Sequence, residues 1–179
     1  TGLLGLILNL LPWQEEDDSS KEDLAKKGPK VFNQNLLYLI WFSNFLSFLV
    51  LNITRTFFPL LGLELKMSPS FIGFILFLPG LSQIIITLFL KNNPAWSYNL
   101  KTIMVGQLLA ITGLILIGFS KITLLIGLGL FLPGFMAGIT NYSSNFMSLS
   151  QEEEGKKRIG VHEALVGLAG CLSGFAGGG

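Results

Sequence analysis

Charge is scarce in this chain, and so are the residues that build reactive centres. Of its 179 residues, 13% are Asp, Glu, Lys or Arg, about half the share of roughly 25% found in soluble domains. One cysteine, Cys171, and one histidine, His162, are present. A lone cysteine excludes an internal disulfide, and the pair gives no metal-ligand cluster. The 12 basic and 11 acidic residues leave a net charge of +1, too little for the broad basic field that nucleic acid requires. Glycine-rich phosphate loops, nucleophile–base pairs and metal-ligand spacings are missing, so no enzymatic step, cofactor or metal is expected. Residues 1–12 lack the basic start of a signal peptide.

What remains is apolar. Half the residues are hydrophobic and the mean hydropathy is +0.61, with the few charges gathered into short clusters. Long uncharged windows between clusters predict an all-α, polytopic integral membrane bundle. A bilayer core of about 30 Å needs roughly 20 apolar residues per helix. Residues 1–13 fall short of that and read as the end of a spanning helix. A solvated linker follows over residues 14–34, rich in Glu, Asp, Ser and Lys. Complete spans are expected over about 35–61, 71–90, 102–120 and 122–149, with a truncated one from 159 onward.

The loops alternate between two sides. Lys21, Lys26, Lys27, Lys30, Lys91, Lys101, Lys156, Lys157 and Arg158 share one side, whereas Arg55, Lys66 and Lys121 share the other. The positive-inside rule makes the first side cytoplasmic, linker included, in a plasma or cell inner membrane. Two glycosylation-type triplets, at Asn52 and Asn141, fall within or at the edge of spans and are rejected.

Polar residues are costly in hydrocarbon, so their placement marks helices that face an interior. On the first full span Asn44, Ser47, Asn52 and Arg55 fall within an arc of about 140° at 100° per residue. They are candidates for a water-accessible path. The plainer reading is hydrogen bonding to neighbouring helices, with Arg55 reaching for headgroups. The fourth span carries Gly134, Gly138, Asn141, Ser144, Asn145 and Ser148 on one face, open to the same two readings. Gln83, between Ser82 and Thr87, is a smaller candidate on the second span. The third span, with only Gln107 and Thr112 away from its ends, looks peripheral. His162 and Glu163 are placed in the first turn of the last helix. There they cap the terminus and complement its dipole, or Glu163 forms a gating salt bridge with Lys157 or Arg158. Phe-Leu-Pro-Gly occurs at residues 77–80 and 131–134, where a mid-span proline permits a kink.

One layout ties these features together. A span ending in Leu10-Leu11-Pro12 and a charged loop precede a helix reaching Leu49-Val50-Leu51-Asn52-Ile53. Then comes Phe58-Pro59-Leu60-Leu61-Gly62, running on to Met67-Ser68-Pro69-Ser70-Phe71-Ile72-Gly73. This resembles the major facilitator superfamily of secondary transporters. The stretch from Arg158 to Glu163, followed by Gly167, Gly170, Gly174 and Gly177, is similar to the basic loop and Gly-rich fifth helix of a six-helix half. Residues 90–96 depart from the family's Asp- and Arg-bearing loop motif, which is strongest in the N-terminal half. The resemblance therefore implies a partial C-terminal half, from the end of the sixth helix to a truncated eleventh. It also implies alternating access to a small solute, with a coupling ion, the bilayer and the missing N-terminal half as partners. No Asp or Glu lies deep in a complete span, so a proton-coupling carboxylate is expected outside this chain. The alternative is a non-transporting membrane scaffold or receptor, in which the glycines serve packing alone.

Overall fold

A computed structural model describes residues 34–93, 96, 99–149 and 155–178, and among these every regular element is a helix. They are α1 (Gln34–Glu64), α2 (Pro69–Asn92), α3 (Leu100–Phe119), α4 (Thr123–Leu149) and α5 (Gly155–Gly178). The half-helix and linker expected before residue 34 lie outside the described residues, as does the loop at 151–154. The first four helices are long and apolar enough to cross a membrane. Even α3, with 20 residues, spans about 30 Å at 1.5 Å per residue. Side chains such as Phe74, Leu88, Val105, Leu108 and Ile115 point outward and are more than half exposed, as suits a lipid-facing surface.

The breaks follow from local chemistry. Lys66 at φ 58° ends α1; its N–H bonds the Leu63 carbonyl and the next N–H, of Met67, bonds that of Gly62, both at 2.9 Å. That paired closure satisfies carbonyls the helix end would leave bare. Ser68 then caps α2, its hydroxyl accepting from Phe71 N–H at 3.3 Å, with Pro69 in the first turn. Asn99 caps α3 by accepting from Lys101 N–H at 3.0 Å. The turn into α4 is held by Ser120 Oγ, which accepts from Ile122 N–H at 3.0 Å.

At the centre lies α4, packed against the other four helices. Its glycines set how close they come. A Cβ on Gly113 of α3 would lie 2.5 Å from the Gly129 carbonyl, and one on Gly129 would lie 2.8 Å from that of Gly113. The two backbones therefore touch reciprocally. Pro133 has no N–H for the Gly129 carbonyl four residues back, so this freed acceptor faces a glycine Cα–H instead. On the other side, Gly134 abuts Pro79 and Ser82 of α2, and Gly138 abuts Gln83 and Ile86. The two Phe-Leu-Pro-Gly segments thus meet, the glycine of the second lying against the proline of the first. Gly134 and Gly138, expected on a polar face, are spent on this packing. The peripheral reading of α3 agrees with the contacts, which fall almost wholly on α4.

One boundary differs in a way that matters. α5 begins at Gly155, not at 159, because Lys156, Lys157 and Arg158 are good helix formers and nothing there breaks the helix. His162 and Glu163 consequently lie two turns inside it, beyond the reach of the terminal dipole. Most glycines of α5 have no close neighbour among the described residues. Cβ atoms on Gly160, Gly167 and Gly174 would meet nothing within 4 Å.

Candidate functional site: the seam between α1 and α5

Where α5 packs on α1 the contact is made through polar side chains rather than glycines. Asn44 Nδ2 lies 3.0 Å from His162 Nε2, and both residues are 1% exposed. Further along, the Cβ position of Gly170 lies 4.0 Å from Asn52 Nδ2. Both pairs are 118 residues apart, so the two helices run parallel and in step. Eight residues of rise, about 12 Å, separate the two levels.

The Asn44–His162 bond couples the ring tautomer to the orientation of the Asn44 amide. With the Asn44 amide donating to Nε2, the imidazole carries its proton on Nδ1, which lies 3.3 Å from Glu163 Oε1. In the opposite amide orientation Asn44 Oδ1 accepts from Nε2–H, so the pair serves either tautomer. Asn44 Oδ1 and His162 Nδ1 have no hydrogen-bond partner of good geometry. Glu163 itself is largely exposed.

An open groove lies on each side of this bond. One, of about 300 Å³, is lined by Gln34, Leu37, Tyr38, Trp41, Lys157, Arg158 and Val161. The other, of about 390 Å³, is lined by Asn52, Arg55, Thr56, Gly170, Ser173 and Gly174. Within the second, the Thr56 hydroxyl donates to the Asn52 carbonyl at 3.0 Å and that of Ser173 to the Gly170 carbonyl at 2.7 Å. Both hydroxyls keep lone pairs free to accept, and the Asn52 amide adds donors. The seam is thus two polar hollows in an apolar bundle, divided by one buried hydrogen bond.

The sequence candidates divide accordingly. Asn44, Asn52, Arg55, Arg158 and His162 come together on this seam, and Glu163 flanks it. Ser47 is buried but donates to its own helix, to the Ser43 carbonyl at 2.6 Å. Asn141 and Asn145 lie half-buried on α4 and bond each other at 3.2 Å, outside the linings of both hollows. Gln83 lies on α2 against Gly138 of α4, its Nε2 buried and without a partner. Trp41, Thr56 and Ser173 are seam residues that the helical map of α1 and α4 missed. A signal for Ser173 was present: His162, Gly170 and Ser173 repeat on α5 the spacing of Asn44, Asn52 and Arg55 on α1.

No family model, curated protein or solved structure matches the chain.

Proposed function

We propose that this chain is part of the C-terminal half of a multi-pass secondary transporter of the major facilitator type. It moves a small solute by alternating access and carries out no enzymatic step, and α1 and α5 supply one wall of the path. The observation that carries this reading is the seam itself: polar hollows of about 300 and 390 Å³ in series, parted by the Asn44–His162 bond. Polar side chains spaced along the facing sides of two apolar helices suit a water-accessible path, because polar groups left against hydrocarbon are costly.

Helix pairing adds support for the family. α5 packs on α1 as α2 packs on α4, the exchange expected of two three-helix repeats within one half. On this reading α1 to α4 correspond to the seventh to tenth helices and α5 to the eleventh. The Gln34 end of α1 and the Gly155 end of α5 then face the cytoplasm, in keeping with the basic loops on that side.

The test is solvent access with transport as a second readout. Single cysteines replacing Asn44, Asn52 and Asn145, in a Cys171→Ser background, are treated with a membrane-impermeant thiol reagent from each side. Transport by alternating access predicts reaction at Asn52→Cys from the outside and at Asn44→Cys from the inside, with ratios that shift between states. Uniform protection at all three positions would leave the scaffold reading in its place.

A further inference from the structure

The hollow beyond the Asn44–His162 bond is a charged one. Arg55 lines it, yet among the described residues this guanidinium has neither a hydrogen bond nor an ion pair. The nearest carboxylates on the two helices are distant. In the common register of α1 and α5, Glu163 is level with residue 45, ten residues below Arg55, and Glu64 is nine residues above. Those offsets are about 15 and 13 Å along the helix. Arg55 is exposed at the open mouth of the groove, where its five donors form a planar fork that matches two oxygens of one oxyanion entering from solvent.

The rest of the lining fits the same occupant. Asn52 contributes amide donors on the near wall, while Gly170 and Gly174 leave the far wall open to backbone distance. The groove is open on one side, and its free space of about 390 Å³ has room for a small oxyanion-bearing solute. Resting on the transport reading, we infer that this groove is a binding site for a small solute bearing one oxyanion group, a carboxylate above all, clamped by Arg55 and Asn52. A phospholipid headgroup offers similar chemistry, and the experiment separates the two.

Gly174→Cys is a sound reporter, because a side chain there meets nothing within 4 Å. It is made in the full-length Cys171→Ser protein, reconstituted in phosphatidylcholine vesicles. Its rates of modification by an anionic sulfonatoethyl and a cationic trimethylammonioethyl methanethiosulfonate are compared. The anionic reagent is expected to react faster, and Arg55→Gln to lower the ratio of the two rates by about tenfold. Arg55→Lys should retain most of the preference. Benzoate at about twice its Kd should slow modification by a neutral maleimide roughly threefold, benzamide should not, and Arg55→Gln should abolish the protection.

A rate ratio unmoved by Arg55→Gln, or equal effects of benzoate and benzamide, overturns the site. Slowing by phosphatidylglycerol in the vesicles without slowing by benzoate assigns the groove to lipid and likewise overturns it. Ready reaction with the impermeant reagents but no charge preference would remove the oxyanion and leave the path. No reaction from either side would remove both.

Discussion

The buried bond between Asn44 and His162 gives the most direct test of the seam. Its donor–acceptor distance is 3.0 Å and both residues are 1% exposed, so water does not reach either partner. Interhelical hydrogen bonds inside membrane bundles average about 0.6 kcal/mol of coupling and reach about 1.7. Removing one partner also strands the other, at roughly 1–3 kcal/mol. Asn44→Ala and His162→Ala should therefore each destabilise by about 1–3 kcal/mol. The double variant should fall short of their sum by about 0.6–1.7 kcal/mol. The assay is a double-mutant cycle on SDS-induced unfolding of the purified protein in mixed micelles. Additivity within about 0.3–0.5 kcal/mol, the tolerance for independent sites, would refute the bond as a coupling element. On the transport reading the cycle has a kinetic counterpart: the two single variants and the double should change transport by similar factors.

Three further outcomes are expected. Gly113→Ala should destabilise by about 1–3 kcal/mol, since its Cβ would meet the Gly129 carbonyl at 2.5 Å and Pro133 Cδ at 2.7 Å. Gly118→Ala, with nothing within 4 Å, should instead stabilise by about 0.5–1 kcal/mol; unfolding of the two variants side by side checks both signs. Lys66→Gly should stabilise by about 1 kcal/mol, because Lys66 holds φ 58°, a region that costs a non-glycine residue roughly 1–2 kcal/mol; the same unfolding assay reads it. Arg55→Ala should lower solute uptake far more than the amount of protein in the membrane, and equal losses on an uptake assay and an immunoblot would assign Arg55 to folding.

The helices were legible because hydrophobic runs bounded by Ser-Pro, Asn and Lys leave little freedom, and four of them lie within three residues of their expected limits. The start of α5 was not, because Gly155-Lys156-Lys157-Arg158 reads as a basic loop by charge yet is good helix by propensity. The polar arc of α1 found Asn44, Asn52 and Arg55 from periodicity alone. The matching arc of α4 left both readings open, since a glycine on a polar face reads the same whether it lines a path or seats a neighbouring backbone. Only the positions of Pro79 and Ile86 show that Gly134 and Gly138 do the latter. Similarly, Asn44 and His162 are ordinary candidates separately; their meeting depends on the parallel register of two helices far apart in sequence, which no local pattern encodes.

That register gives the bundle two kinds of interface with different mechanical consequences. Between α4 and its neighbours α2 and α3, backbone rests on backbone at Gly113, Gly129, Gly134 and Gly138, so sliding one helix drives main chain into main chain. Such contacts lock, because a close-packed interface has no intermediate positions. Between α1 and α5 the spacing is kept by side chains, with open volume on both sides of one hydrogen bond. On the transport reading, breaking a bond worth about 0.6–1.7 kcal/mol would shift an open–closed equilibrium by roughly three- to sixteenfold, at 1.4 kcal/mol per factor of ten. On that reading a bond of this size would define a closed seam yet yield to a bound solute, since a ligand shifts an equilibrium by its differential affinity for the two states. A solute anion gripped by Arg55 and Asn52 two turns beyond the bond would supply that difference by preferring one spacing of α1 and α5. The glycine-packed α2–α3–α4 block would then be the fixed wall against which the seam moves.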